Sequence, residues 1–233
     1  PTARHQTEPL YHEAFGRDGI PYDTLEFGGE CSALEIERCT AEARRTRAGC
    51  IVGVGGGKAL DTARAVAGTL NLPVVCCPTV AASDAPCSAL SVVYTAEGVF
   101  DKCLFYKRNP DLVLVDTRII TQAPARFLVA GMGDALATWF EADTAHRASK
   151  RNQVGGASTL AAMAIARTCY QTLLQDGTAA VAAARAGAVT PALERIIEAN
   201  TLLSGLGFES GGLAVAHAVH NGLTAAPETH RYL

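Results

Sequence analysis

A run of three glycines joins an apolar stretch to a helical pattern, in an arrangement that suits phosphate binding. Residues 50–54 are typical of a buried strand, residues 55–57 are all glycine, and a helical pattern starts at Lys58. Glycine lets the backbone approach a ligand closely, and a helix N-terminus offers free N–H groups to an anion. The segment is neither a Walker loop, since Val52 and Ala59 replace its glycine and hydroxyl residue, nor a GxGxxG motif, since Lys58 replaces its last glycine. It therefore indicates a non-standard pyrophosphate loop, with a tight turn that binds nothing as the alternative.

Small and hydroxylated residues follow a second apolar stretch, residues 73–77. The segment 78–90 includes Thr79 and Ser88, whose hydroxyls suit phosphate or ribose, and Asp84, which can accept a hydrogen bond from a polyol. Ligands of open α/β sheets bind beyond the carboxyl ends of the strands, which is where this segment begins. An ordinary polar loop is an equally good interpretation.

One carboxylate and two imidazoles in the second half form a partial set of metal ligands. Asp134 follows Gly-Met-Gly at the start of a predicted helix, where it could simply cap that helix. His217 and His220 lie three residues apart on one face of a short helix rich in small residues. Two imidazoles and a carboxylate suit zinc or iron. A pair of structural histidines is the alternative, because the spacing HxxH alone is a weak signal.

The elements that must position these residues differ between the two halves of the chain. Continuous apolar strands separated by helices predict a parallel sheet covered on both faces. Ser32 and Glu35 form a capping box that opens a helix ending near residue 48. The first half is then predicted to contain strands at 50–54, 73–77 and 112–115, a helix at 58–70, and a β-hairpin at 91–95 and 100–106. The second half is predicted to be helical only, at 124–130, 134–143, 158–176 and 191–205.

Composition excludes several classes of protein. The 233 residues carry a formal net charge of −3, which argues against a dedicated nucleic-acid or membrane-surface binder. The mean hydropathy of +0.14 argues against disorder, and no apolar run approaches the roughly 20 residues that span a bilayer. Eight scattered cysteines without a CxxC pair are typical of buried thiols in a reducing compartment. We therefore expect a cytoplasmic protein without disulfides.

Five segments together resemble a known family. The strings GGGKALDTARAVA, PTVAASDAPCSALSVVYT, GMGDALATWFEA, TPALERIIEAN and GFESGGLAVAHAVHNGLTA are similar, in order, to the glycerol dehydrogenase family of the iron-containing (group III) polyol and alcohol dehydrogenases. The resemblance implies a Rossmann-like parallel-sheet domain at 1–122 and a helical domain at 123–233, in a dehydroquinate synthase-like architecture. It also implies NAD rather than NADP, a divalent metal, usually zinc, and a homo-oligomer. The implied reaction is the NAD-dependent oxidation of glycerol to dihydroxyacetone.

The resemblance also implies roles for individual residues. Asp84 would be catalytic and would bind a glycerol hydroxyl, and His220 would lie close to the reacting centre. Asp134 and His217 would be two of three metal ligands, and His217 would also contact the substrate. Ala59 and Ala82 lack hydroxyls where the family usually has threonine and serine. The expected cofactor contacts are Gly55, Gly56, Gly57, Lys58, Ala59, Leu60, Asp61, Thr79, Val80, Ala81, Ala82, Ser88, Leu90 and Tyr94.

The family pattern extends past both ends of this sequence. Its third metal ligand, in a HGEK-type motif, is expected just beyond Leu233, and its first strand is expected before Pro1. His230 is not expected to be that ligand, because Gly-Glu-Lys does not follow it. Three alternatives stay open: a 1,2-propanediol dehydrogenase, a glycerol-phosphate dehydrogenase, and an inactive piece that only binds nucleotide or oligomerises.

Overall fold

The computed structural model describes residues 2–229, with side chains from residue 4 onward, so His230 and the position after Leu233 lie outside the described residues. Two regions follow each other along the chain. The first contains β1 Ile51–Gly55, β2 Val74–Pro78, β3 Leu90–Tyr94, β4 Phe100–Phe105 and β5 Leu112–Val113, with α1 Thr2–Asp18, α2 Ala33–Arg45, α3 Gly57–Leu70 and α4 Thr117–Thr121. The second contains α5 Ala125–Arg147, α6 Leu160–Arg185, α7 Pro191–Glu198, α8 Ser204–Gly211 and α9 Val215–Leu223.

The predicted parallel sheet is confirmed, but Val52 and Val54 of β1 are exposed, so the described residues do not cover both of its faces as predicted. Its strand order is β1-β2-β5, with Ile51 opposite Val74 and Val75 opposite Leu112. Strand β5 has two residues rather than the four predicted. The hairpin is confirmed as well, because β3 and β4 pair antiparallel with Ser91 opposite Leu104.

Helix α3 packs directly on the sheet that precedes it. Leu60 and Ala63 of α3 are buried with Val74 and Cys76 of β2 in one apolar cluster. Gly53 of β1 makes this approach possible, because a Cβ there would lie 2.7 Å from the Cβ of Ala63. The close packing fixes the end of β1 against the start of α3, which is where the glycine loop lies.

Helix α2 begins as predicted, but the carboxylate of Glu35 has partners other than the predicted capping box. Ser32 is the N-cap, and its hydroxyl accepts a hydrogen bond from the backbone N–H of Glu35. The Glu35 carboxylate accepts from the backbone N–H of Gly28, 2.7 Å away, and pairs with Arg38. Glu35 therefore holds the loop that precedes the helix. The helix ends at Arg45, three residues earlier than predicted.

The two helices predicted around Gly131 are one continuous helix, α5, so the predicted break was wrong. Gly131 is used for packing, not for a turn, since a Cβ there would lie 2.1 Å from the carbonyl oxygen of Ala81. Helix α5 packs on α6 and α8, with Ala135, Cys169 and Leu173 buried in a shared core. Helix α6 runs to Arg185, nine residues past the predicted end at 176.

The helix predicted at 191–205 also differs from expectation. It continues to Gly211 and contains a π-helical turn, Ala199–Leu203, between α7 and α8. Asn200 in this turn is fully buried, and its side-chain amide donates hydrogen bonds to the carbonyls of Ala81, at 3.0 Å, and Leu128, at 3.1 Å. The π-helical turn thus ties the helical region to the loop that follows β2.

The remaining expectations concern thiols and membranes. All eight cysteines are free thiols, and four of them are buried. Among residues 2–229, no single helix has the length and apolar composition to cross a membrane, although Pro191–Gly211 and Val215–Leu223 pass together as a pair bent by 109°.

Candidate active site

The glycine loop ends β1 and opens α3, as predicted. Gly55 has φ +156°, and Gly56 is the N-cap of α3 without a side-chain cap. The carbonyl of Gly56 accepts hydrogen bonds from the backbone N–H groups of Ala59, at 3.0 Å, and Leu60, at 3.1 Å. The N–H groups of Gly57 and Lys58 are therefore the ones at the open end of the helix, where they suit an anion.

The side chain of Lys58 is fixed beside this loop by two partners. Its ammonium lies 2.6 Å from a carboxylate oxygen of Glu30 and 4.9 Å from the ring centre of Tyr94. Lys58 and Tyr94 were both predicted to line the cofactor site, and they lie in contact here. Sequence reasoning missed Glu30, which precedes α2 and lies 28 residues away along the chain.

Several of the residues predicted to contact the cofactor have side chains that face the protein interior. Leu60 is fully buried in the core under α3, and Ser88 is 1% exposed. Asp61 pairs with Arg64 and accepts a hydrogen bond from the N–H of Val92, so its carboxylate joins α3 to the hairpin. Burial raises the pKa of Asp61 to about 6 although the charge of Arg64 opposes the shift.

The other predicted cofactor residues fall into two groups by burial. Thr79, Ala81 and Leu90 are buried. Ala59, Val80, Ala82 and Tyr94 are partly exposed, as are the three loop glycines.

The loop that carries Asp84 lies against the glycine loop. A Cβ on Gly57 would lie 3.2 Å from Oγ of Ser83 and 3.4 Å from Cβ of Ala85. Asp84 then reaches the helical region twice. Its backbone N–H donates to Oδ2 of Asp134 at 3.3 Å, and its own Oδ2 accepts from the hydroxyl of Ser204 at 3.0 Å. The structure thus brings Asp84 and Asp134 together beside the glycine loop.

Asp134 and His217 converge from two different helices. Asp134 lies in the middle of α5, so the interpretation of this residue as a helix cap was wrong. His217 lies near the start of α9, and its Nε2 is 3.5 Å from Oδ1 of Asp134.

Burial lowers the pKa of His217, but hydrogen bonds with Asp134 and Glu141 outweigh it and raise this pKa to about 10. Burial, and then the charge of Asp134, raise the pKa of Asp84 well above its usual value. The cluster formed by Asp84, Asp134 and His217 therefore favours an added positive charge.

The separation of these donors fits a divalent metal ion. Two ligands that each lie about 2.0–2.1 Å from a tetrahedral ion are about 3.4 Å apart. The distance of 3.5 Å between Oδ1 of Asp134 and Nε2 of His217 matches this value. Within residues 2–229 no group of three or more His, Cys, Asp or Glu side chains is arranged to hold a metal. Asp134 and His217 are thus two donors at a spacing that suits such an ion, one fewer than the three protein ligands usual for a catalytic zinc.

A buried carboxylate that sequence reasoning missed supports His217. The carboxylate of Glu141 accepts hydrogen bonds from the backbone N–H groups of Ala214, at 2.9 Å, and His217, at 3.1 Å, and it contacts Nδ1 of His217. Burial raises the pKa of Glu141, but these contacts with His217 lower it overall. The available signal was its spacing, since Glu141 follows Asp134 by seven residues, which is two helical turns.

His220 is not part of this cluster among the described contacts. It lies on α9 three residues after His217, as predicted, and it is exposed. No hydrogen bond or ion pair found within residues 4–229 joins it to Asp84, Asp134 or His217. Its predicted catalytic role thus has no contact here to support it.

Comparisons with known proteins found similar sequences for most of this chain. Residues 7–117 match the family described as iron-containing alcohol dehydrogenase. A glycerol dehydrogenase of Escherichia coli O6:H1 is 56% identical over 94% of this chain and 60% of its own length. A glycolaldehyde reductase of Halobacterium salinarum is 50% identical over 94% of this chain and 60% of its own length.

A solved structure shares the fold. The crystal structure of a probable glycerol dehydrogenase from Sinorhizobium meliloti 1021 superimposes with a TM-score of 0.89 at 49% identity, covering 96% of this chain and 63% of that one. The predicted architecture, a Rossmann-like α/β region followed by a helical region, is thereby confirmed. The chain spans about 60% of the length of the curated relatives it matches.

Proposed function

We propose that this chain belongs to the iron-containing alcohol dehydrogenase family and that the full-length protein oxidises glycerol to dihydroxyacetone with NAD, because the chain is similar to glycerol dehydrogenases in sequence and fold. One observation carries the proposal. Asp84, Asp134 and His217, which come from three separate segments, meet beside a glycine loop with an open helix N-terminus. A polyol, a metal ion and a dinucleotide would therefore be neighbours at this place.

The glycine loop is the proposed cofactor site. The N–H groups of Gly57 and Lys58 would bind the pyrophosphate at the positive end of the α3 dipole. Lys58 would add a positive charge, held in place by Glu30 and the ring of Tyr94. We retain the loop glycines, Ala59, segment 79–82 and Tyr94 as cofactor contacts, and we leave out Leu60, Asp61 and Ser88, whose side chains are buried elsewhere.

Asp134 and His217 are the proposed metal ligands, and zinc is the proposed ion. When bound, the metal supplies Lewis-acid polarisation of an alcohol oxygen, and NAD supplies the hydride acceptor. The chain's own part is orientation. Asp134 also accepts a hydrogen bond from the backbone of Asp84, which joins the proposed metal ligand directly to the proposed substrate residue.

Asp84 is the proposed residue for substrate binding. Ser204 donates to its Oδ2, so the carboxylate is held while Oδ1 is the oxygen left to accept a hydrogen bond from a glycerol hydroxyl. A cation that contacts this loop is Arg64 of α3, whose guanidinium donates to the carbonyl of Ala85. Arg64 is 2% exposed and paired with Asp61, so it does not offer a site for a substrate phosphate. This favours glycerol over a glycerol phosphate.

The division into domains remains a proposal of the same kind. We place the boundary between residues 122 and 123, because all described strands precede it and only helices follow it within residues 123–229. Pro124, the N-cap of α5, lies at this junction. The proposed active site would then lie between an α/β domain and a helical domain.

Reduction of glycolaldehyde is a second candidate, because one relative at 50% identity carries that name. The test compares initial rates in the full-length protein at equal cofactor concentrations. Glycerol, 1,2-propanediol and glycerol 3-phosphate are supplied with NAD, and glycolaldehyde is supplied with NADH. The proposal expects the highest kcat/KM with glycerol. A higher kcat/KM with any other substrate would replace glycerol, and no turnover with any of them would contradict the proposal.

A further inference from the structure

Glu141 lies on the same face of α5 as Asp134, two turns further along the helix. A spacing of seven residues returns to nearly the same side of a helix, so both carboxylates face α9. Their surroundings differ. The Glu141 side chain is 3% exposed, whereas that of Asp134 is 25% exposed. Asp134 is thus the more accessible of the two carboxylates.

Both oxygens of Glu141 are used by α9. Oε1 accepts hydrogen bonds from the backbone N–H groups of Ala214, at 2.9 Å, and His217, at 3.1 Å. These groups lie at the N-terminus of α9, whose N-cap residue, Ala214, offers no side-chain oxygen. Oε2 contacts Nδ1 of His217. One carboxylate therefore caps the helix and holds the imidazole ring in place at the same time, and α9 engages both of its oxygens.

The contact at Nδ1 determines what the other ring nitrogen can do. A carboxylate only accepts hydrogen bonds, so the ring must present Nδ1–H to Glu141. In the neutral ring Nε2 then carries the lone pair, and Nε2 is the atom 3.5 Å from Oδ1 of Asp134. Carboxylates that orient a metal-binding histidine in this way also raise its basicity.

We propose that Glu141 is a positioning residue that fixes the tautomer and direction of His217 for metal binding. This inference rests on the proposed function, because that function assigns His217 to the metal. Glu141 is not itself a ligand here, since its two oxygens are taken by α9. Its charge matters as well as its shape, because a buried carboxylate is costly unless it is paired, and His217 is the side chain that pairs with it.

The substitution Glu141→Gln separates the two roles. The glutamine oxygen can still accept from the N–H groups of Ala214 and His217, so the cap on α9 is kept. Its amide nitrogen would face Nδ1 and donate to it, which places the proton of the neutral ring on Nε2 and blocks that lone pair. We expect the zinc-free variant to melt within a few degrees of the wild type and to bind zinc about 10- to 100-fold more weakly.

The experiment uses the full-length protein and zinc itself. Zinc affinity is measured by competition with a chromogenic chelator, and the absorption spectrum of the cobalt-substituted protein reports the ligand field. The matched control is Glu209→Gln. Glu209 is also buried and accepts hydrogen bonds from Ala89 and Asn109, without a described contact to His217. The control should alter the melting temperature and leave zinc affinity unchanged.

A second background keeps the inference testable if Glu141→Gln is unstable. If Glu141 acts through His217, then Glu141→Gln in a His217→Ala background should cause no further loss of zinc affinity. Zinc affinity and a cobalt spectrum unchanged in Glu141→Gln would overturn the inference, as would additive losses in the double variant. A wild-type protein that binds neither zinc nor cobalt would instead contradict the proposed function, on which the inference rests.

Discussion

The hydroxyl of Ser204 donates a hydrogen bond to Oδ2 of Asp84 at 3.0 Å, although the two residues lie 120 positions apart in the sequence. Ser204 begins α8, directly after the π-helical turn, and its Oγ also lies 2.9 Å from Oγ1 of Thr138. A serine hydroxyl has one proton, so donation to Asp84 makes Ser204 the acceptor from Thr138. The helical region thus orients the carboxylate that we propose binds the substrate.

Replacing Ser204 by alanine should weaken substrate binding. A hydrogen bond to a charged group contributes about 1.5–3 kcal/mol, so Ser204→Ala should lower kcat/KM for glycerol at least about tenfold. Most of the change should appear in KM, because Asp84 stays present but loses its orientation. Steady-state kinetics in the full-length protein measure this. Ser158→Ala is the control, because its hydroxyl donates to the carbonyl of Gly211 at 2.7 Å, and it should match the wild type. A wild-type KM in Ser204→Ala would contradict the prediction.

Replacing Gly57 by valine should abolish tight NAD binding. A Cβ at this position would lie 3.2 Å from Oγ of Ser83, and the two methyl groups of valine would cover the N–H groups at the start of α3. We expect NAD to bind at least about tenfold more weakly in isothermal titration. Gly49→Ala serves as the control, because a Cβ there meets nothing within 4 Å. Equal NAD affinity in Gly57→Val and the control would show that the loop does not hold the pyrophosphate.

Two glycines in α5 should respond in opposite ways to alanine. At Gly131 a Cβ would lie 2.1 Å from the carbonyl oxygen of Ala81 and 2.5 Å from Nδ2 of Asn200, so the substitution forces backbone apart. Overpacking of this kind costs about 1–3 kcal/mol or more. At Gly133 a Cβ meets nothing within 4 Å, and alanine should be neutral or stabilise the helix by up to about 1 kcal/mol. Thermal unfolding of both variants tests this, and equal melting temperatures would contradict it.

Local patterns in the sequence were enough to predict part of the α/β region. The strands are continuous apolar runs and the glycine loop separates one of them from α3, so the strands, α2 and α3 were found to within a few residues, whereas α1 and α4 were not predicted. The same local rule failed at Gly131, because glycine was taken as a turn signal. Its actual use is a contact with Ala81, 50 residues away, which no local pattern reveals.

The candidate site was predictable only in part for the same reason. Asp84, Asp134 and His217 belong to motifs long enough to match a family. Glu141 lies inside one of these motifs and Ser204 lies between two of them, but their roles follow from contacts between α5, α8 and α9, which the motifs do not reveal. Leu60 and Asp61 were predicted as cofactor contacts because their neighbours in the sequence belong to the loop, and we leave them out of the proposed site. The helical twist of α3 turns these two side chains into the interior.

The full-length protein should assemble with copies of itself. We predict from the family resemblance that it is a homo-oligomer. Light scattering coupled to gel filtration measures its mass in solution, and we expect a multiple of the subunit mass. A protein that elutes as a monomer across the concentration range of the assay would contradict this prediction.

The central claim is that Asp134 and His217 hold the metal used in glycerol oxidation. The most direct measurement is the initial rate of NADH formation with glycerol, in full-length wild type and His217→Ala, after chelation and again after zinc is restored. We expect chelation to abolish the wild-type rate and zinc to restore it. We expect His217→Ala to stay at least about 100-fold slower with zinc present. A His217→Ala variant that recovers the wild-type rate with zinc, or a wild type indifferent to chelation, would contradict it.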